Sequence, residues 1–476
     1  MGTLDVVVIL AYFAVVMAAG LLLGGKQRDA NDYFLGQHRL PWWAIMFSIV
    51  ATETSALTII SVPGLAAGGN LRFLQLSFGY LVGRIGVAAL LLPGYFEGTQ
   101  ETAYQRLERR FGPRARRTAA GIFLVTRAMG EAVRLFATAI PLTVITGWNM
   151  PAAILAVAIV TVFYAWVGGL RAVVWVDVLQ LAVYLVGGIA TLIVATHLAG
   201  GIDSFGRAWE AGKLTVFDFR FTFTAPYTFW GGLIGGALLS AASHGTDHLL
   251  VQRLLATRDL TAARKALIGS GVFVIAQFAL FLLVGTSLWL AGAARPGLAS
   301  DAIYPTFVVE HLPPGLAGLV VAAILAAASV AAALNSLASA STHDFYAALT
   351  GKRDPAHLLK VGRFMTLIWA AILVGGAMAL KDPTTPVVVL ALRIASLTYG
   401  SLLGTYILGG AWARARERDV IVAVVACVLV MTPVVLGFPF ALFPGLAFPW
   451  FVPLGTAITV SVGMLSSLFD RGAGSP

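Results

Sequence analysis

Charge is scarce in this sequence. Asp, Glu, Lys and Arg together make up 11% of 476 residues, against roughly 25% in a soluble globular domain. An aqueous fold could not clothe itself with so little charge. Cysteine is scarcer still: Cys427 is the only one, so no disulfide framework and no cysteine-based metal site is available. No hydrophilic stretch is long enough for a separate soluble domain. No nucleophile elbow, phosphate-binding loop or dinucleotide fingerprint occurs, which leaves a soluble-type enzyme without a site. Nor does any basic residue precede the first apolar run, Leu4 to Gly24, whereas Lys26 and Arg28 follow it. A signal peptide carries its positive charge before the apolar run, so this run reads as a retained helix.

What is present is apolar length. Hydrophobic residues make up 59% of the chain, and its mean hydropathy is +0.87. A bilayer crossing takes about 20 such residues. Hydropathy predicts spans at 4–24, 42–68, 73–96, 119–147, 150–168, 172–199, 228–252, 266–292, 314–347, 364–380, 385–411, 419–437 and 448–469. The fold class is therefore an all-α polytopic membrane protein of about thirteen transmembrane helices, with 1–476 a single transporter domain. The net charge of +10 would suit a polyanion, but its distribution excludes nucleic acid. Basic residues crowd alternate loops, as at Arg106 to Arg117 and Arg414 to Arg418, which is the pattern that orients a chain in a membrane. It predicts an inner (plasma) membrane protein with its N-terminus outside and its C-terminus cytoplasmic.

Two spans look interrupted. The second contains Ser48, Thr52, Thr54, Ser55, Thr58 and Ser61 and then Val62-Pro63-Gly64; the seventh follows Pro226 and holds Gly231-Gly232 and Gly235-Gly236, then Ser240, Ser243 and Gly245. Broken helices at matching places in two halves of a transporter point to a midplane site, although small residues also serve close helix packing. Charges inside spans are costly and mark function by default. Here they are Glu53, Arg84, Arg127, Glu131, Arg134, Asp177, Asp247 and Arg393. Arg127, Glu131 and Arg134 share one helical face by spacing, with one positive charge in excess, so Arg134 is free to meet a solute carboxylate. His244, Asp247 and His248 form H-x-x-D-H, whose spacing would suit zinc and whose place at a helix end suits a cap better. Asp177 and the hydroxyls of the ninth span are the better cation candidates.

The chain resembles the sodium/solute symporter family in several motifs. These are Tyr33-Phe34-Leu35-Gly36, Leu40-Pro41-Trp42-Trp43, and Gly168-Gly169-Leu170-Arg171 through Trp175, Asp177 and Gln180. Gln252-Arg253 and Leu334-Asn335-Ser336 with Thr342 and Asp344 continue the match. The resemblance implies a LeuT-like fold of two inverted five-helix repeats, 42–199 and 228–411. One extra helix, 4–24, precedes them and two, within 419–469, follow. It implies a sodium site built from the carbonyls of Ala51, Thr54 and Leu325 and the hydroxyl of Ser329, with Asp177 on the cytoplasmic exit route. Ala328 stands where that site has its second hydroxyl, so one hydroxyl is missing; Ala331 and Ala332 stand where some members carry the serines of a further site, so a second sodium site is not expected. The solute cavity would be lined by Ser55, Thr58, Gln75 and Phe78, with Glu131 and Arg134 added by the charge argument.

The expected function is sodium-coupled symport of a small polar organic solute, a carboxylate or a sugar, into the cell by alternating access. Sodium would be the coupling ion, no other cofactor is needed, and the partners are the solute, sodium and the lipid bilayer. A monomer would suffice. Proton-coupled or facilitated uptake is the alternative, favoured by the missing hydroxyl. A membrane substrate sensor is a second, with no signalling module following the last span. Cysteines placed at Gly2 and Gly474 should react with impermeant reagents from opposite sides of the membrane. Labelling from one side would mean an even number of crossings.

Overall fold

A computed structural model describes residues 2–25, 28–54, 56–97, 102–326, 330–380, 387–438 and 442–469. Its principal helices are α1 (Thr3–Gly24), α2 (Trp42–Glu53), α3 (Ala56–Gly68), α4 (Leu74–Gly86), α5 (Pro113–Thr146), α6 (Met150–Leu198), α7 (Gly236–Gly245) and α8 (His248–Leu255). The rest are α9 (Leu260–Leu290), α10 (Leu316–Ala326), α11 (Ala331–Ala340), α12 (Pro355–Ala379), α13 (Val387–Ala411), α14 (Glu417–Leu436) and α15 (Phe451–Phe469). Among the described residues there is no strand, only an isolated bridge between Leu40 and Thr257. A chain in hydrocarbon must satisfy its backbone internally, and helices do so segment by segment.

Seven of the described helices are each long and apolar enough to cross a bilayer, and α2 with α3, bent by 60°, makes an eighth. Thirteen crossings remain the expectation of hydropathy. The expected spans at 119–147 and 228–252 fall on α5, charged at its middle, and on the interrupted pair α7–α8. The spans 150–168 and 172–199 are two helices that meet end to end within α6 at a kink at Gly169, where φ is 56°. A Cβ there would also meet the backbone and ring of Tyr33, so glycine suits both the turn and the contact.

Both interruptions exist, each at one place within its span. The second span breaks at Thr54, whose backbone is extended, while Pro63 and Gly64 lie within α3, with Gly64 against Ser300. The seventh span breaks at Thr246, between α7 and α8, with Asp247 capping α8 through Leu249 N at 2.8 Å. Its paired glycines are packing glycines. Gly232 and Gly236 meet the backbone of α4 at Gln75 and Leu76, and Gly235 meets Pro449. Without side chains, α4 and the start of α7 touch backbone to backbone.

The outlying helices are tied down by specific groups. α1 packs on α6 and α10, and the buried Asp5 accepts from Gly315 N (2.7 Å) and Gly318 N (2.9 Å) at the N-terminus of α10. A carboxylate there meets free amides and the positive end of the helix. α14 and α15 pack on α13 and on each other. The segment before α7 crosses the ends of α3 and α4: Lys213 donates to Ala67 O at 2.8 Å, and Asp218 meets Arg220 (2.7 Å) and Arg72 (3.3 Å). The hydrogen bonds from Arg220 hold the Asp218 carboxyl down to about 2. Its contribution to stability is therefore present above the ordinary carboxylate range and lost as pH falls through about 2.

Two glycines of one helix test the packing. A Cβ on Gly79 would overlap the carbonyls of Gly232 and Leu233, whereas a Cβ on Gly86 meets nothing within 4 Å. Gly79→Ala should lower the melting temperature in detergent, by about 1–3 kcal/mol of overpacking. Gly86→Ala should leave it unchanged or raise it. Equal effects would dissolve the claimed contact.

Candidate functional site

The break at Thr54 exposes the C-terminal carbonyls of α2, which lack the donors of a following turn. Val50 O is met by Thr54 N (2.9 Å) and Thr54 Oγ1 (2.8 Å), and Thr52 O by Arg134 Nη1 at 3.4 Å. Ala51 and Thr54, assigned to sodium by the resemblance, belong to this same turn. Beside it opens a cavity of about 210 Å³, between α2–α3, α4, α5, α7, α9 and α13. Thr52, Glu53, Thr58 and Ser61 come from the bent pair, Arg127, Glu131 and Arg134 from α5. Ser240 and Ser243 come from α7, Asp247 from the second break, and Thr398 and Tyr399 from α13. Both breaks therefore face one cavity.

Its charges are paired within α5 and across helices. Glu53 forms an ion pair with the fully buried Arg84, which also donates to Ser270 Oγ at 2.6 Å. The second Glu53 oxygen lies 3.4 Å from His244 Nε2. Arg127 and Arg134 each lie 3.4 Å from Glu131 Oε1. Arg127 also reaches Asp247 Oδ2 at 3.6 Å, the atom to which the Tyr399 hydroxyl donates at 2.8 Å. This corrects the surplus positive charge inferred on α5. Asp247 arrives from 120 positions away in the sequence and completes the balance. Glu53, Glu131 and Asp247 stand against Arg84, Arg127 and Arg134.

The expected site residues divide. Thr58, Glu131 and Arg134 line the cavity. Gln75 and Phe78 do not. Gln75 is buried, accepting from Asp218 N (2.9 Å) and donating to Arg72 O and Tyr227 O, so it anchors the preceding loop. Phe78 stacks on Phe217 with ring centroids 6.0 Å apart. Asp177 is not an open ligand: Arg253 Nη2 (3.0 Å) and Ser48 Oγ (2.5 Å) both meet its Oδ2. Leu325 is buried near the end of α10. Ser55 and Ser329 lie outside the described residues. Tyr80, Thr126, Thr398 and Tyr399 were missed. The last two, polar neighbours in an apolar span, were the readable signal.

The H-x-x-D-H motif diverges. His244 turns to Glu53 and Ser243, Asp247 caps α8, and His248 Nδ1 accepts from Ala103 N while its Nε2 meets Ser339 Oγ at 3.1 Å. Among the described residues, no three His, Cys, Asp or Glu side chains converge as a metal site.

The profile described as the sodium:solute symporter family matches residues 33–426, most of the chain. The chain belongs to the sodium:solute symporter family. A sodium/sialic acid symporter of Aliivibrio fischeri is 26% identical, covering 98% of this chain and 93% of its own. The human sodium-coupled monocarboxylate transporter 1 is 26% identical, over 85% and 68% respectively. The solved outward-open structure of a Na+-coupled sialic acid symporter superposes with a TM-score of 0.88, at 25% identity and 98% coverage of both chains. A nucleobase-cation-symport-1 family transporter, at 13% identity and TM-score 0.54 over 93% and 96%, shares the fold. This family member has the LeuT-like fold and is a sodium-coupled solute symporter, not an enzyme; sodium is its coupling ion.

Arg84→Met should strand the Glu53 carboxylate in a buried position, at a cost of about 3–5 kcal/mol, read as a large fall in melting temperature in detergent. Adding Glu53→Gln should recover much of the loss, since the paired sites are coupled. An Arg84→Met protein as stable as the wild type would show that the pair carries no structural weight.

Proposed function

We propose that this symporter carries a small polar solute of the carboxylate or sugar class into the cell, by alternating access around the cavity between the two broken helices. The observation that carries this reading is the convergence of both breaks, at Thr54 and Thr246, on one small cavity with hydroxyls and paired charges on its walls. Each proposed repeat, 42–199 and 228–411, then opens on an interrupted helix, as inverted-repeat transporters do. The chain sits in the plasma membrane with its N-terminus outside, the orientation that the arginine-rich loops favour.

In this reading sodium binds at the carbonyls of Ala51, Thr54 and Leu325 and at the hydroxyl of Ser329. Asp177 lies on its way out, where sodium competes with Arg253. The wall charges of the solute cavity sum to zero, so sodium adds one positive charge to a poorly solvated region. Uncompensated charge is expensive there, which favours a carboxylate solute over a neutral sugar. Arg134 is the group to receive it. It is 19% exposed, and among the described residues it meets only Glu131 and Thr52 O, each at 3.4 Å. A guanidinium has five donors and suits a carboxylate. The relatives named for sialic acid and monocarboxylates support the same class.

Uptake of labelled carboxylates and sugars into proteoliposomes should collapse when choline replaces external sodium. Ser329→Ala should raise the sodium concentration required, and Arg134→Met should raise KM for carboxylates by about tenfold or more. Equal uptake in choline would remove the sodium site as drawn. Transport of neutral sugars alone would remove the carboxylate.

A further inference from the structure

Of the three acids on the cavity wall, Glu131 is the one whose bonding is least complete. It is buried, 1% exposed, on the cavity-lining face of α5. Both arginines meet the same oxygen, Oε1, at 3.4 Å. Oε2 is buried and has no hydrogen-bond donor among the described residues. The other two acids on the wall differ. Asp247 accepts from Leu249 N on one oxygen and the Tyr399 hydroxyl on the other, and Glu53 faces Arg84 and His244 with its two.

A buried carboxylate oxygen left without a donor is penalised more than a formed hydrogen bond is rewarded. A solute held at Arg134, one helical turn away, either brings a donor towards this oxygen or shuts it further from solvent. If the solute brings no donor, the oxygen is left bare and affinity falls. A solute with a hydroxyl or N–H beside its carboxylate satisfies Oε2 while Arg134 takes the carboxylate. We infer that Glu131 is a specificity-determining residue that selects donor-bearing organic acids over anions without a donor. This inference rests on the reading of the cavity as the solute site. It separates this chain from what a bare positive pocket would do, since such a pocket would accept any small anion.

Two matched pairs in sodium test it: lactate against propionate, and lactate against 2-methoxypropionate, which keeps the oxygen and loses the donor. Affinity is read from the ligand-dependent rise in melting temperature of the purified wild-type protein. Lactate should bind about tenfold or more tightly than either partner. Glu131→Gln keeps the size of the side chain and offers an amide N–H. In that variant the lactate preference should shrink and 2-methoxypropionate should gain. Equal affinities in the wild type would overturn the inference, and so would an undiminished preference in a folded Glu131→Gln protein. Ser243→Trp, which fills the cavity, separates the two levels. If it leaves lactate binding intact, the cavity is not the solute site and both readings fall; if it abolishes binding while the wild type does not discriminate, only the role of Glu131 falls. No shift with any of the three acids would overturn both.

Discussion

In a hydrocarbon medium an unpaired carbonyl or amide costs several kcal/mol, and the bend at Thr54 sets such groups free in the middle of the protein. Much of the surrounding structure answers that constraint. Thr54 turns its own amide and hydroxyl onto Val50 O, Gln277 donates to the Thr54 hydroxyl at 2.5 Å, and Arg134 reaches Thr52 O. The carbonyls of this turn are the natural ligands for a small hard cation. A continuous helix would have consumed them in its own hydrogen bonds, so the break in the second span leaves them free for the proposed cation site.

The charges around the break follow from the same constraint. Each acid beside the cavity sits against an arginine from another helix or another turn. Arg84 is on α4 and Glu53 on α2; Asp247 joins Arg127 from the second break. Buried pairs of this kind add little to stability on balance, yet breaking one is costly. Their effect is to tie separate helices together by contacts that exist only when both partners are in register. Arg253, Asp177 and Ser48 make a further tie between α8, α6 and α2. Arg116 joins α5 to the segment after α11, through Asp344 at 2.7 Å and His343 O at 2.8 Å.

Glycine has two different uses here. At Gly169 it provides a positive φ that turns α6 while lying against Tyr33. At Gly79, Gly232 and Gly236 it is a missing side chain that lets α4 meet the seventh span along the backbone. The sequence shows the same letter for both. A glycine pair within an apolar span therefore cannot by itself be read as a break; the seventh span breaks at Thr246, beside Gly245, and its glycine pairs serve packing.

Hydropathy is a local property, and what depends on it was legible: the membrane class, the alternation of basic loops, the interruptions in the second and seventh spans, and the set of charges that must matter. The motifs at Tyr33, Gly168 and Asn335 carried the family. The position of each break was less legible, because Ser, Thr, Gly and Pro mark packing and unwinding alike. The pairing of charges was not legible at all. Glu53 with Arg84, Arg127 with Asp247 and Asp177 with Arg253 are separated by 31, 120 and 76 positions, and no periodicity connects them. The sequence by itself determined that this chain spans a membrane and where its costly charges lie. Only the tertiary structure decided which charge meets which, that Gln75 and Phe78 do not line the cavity, and that one Glu131 oxygen has no donor among the described residues. Those outcomes depend on helices meeting across the bundle, and distance along the chain carries no record of it.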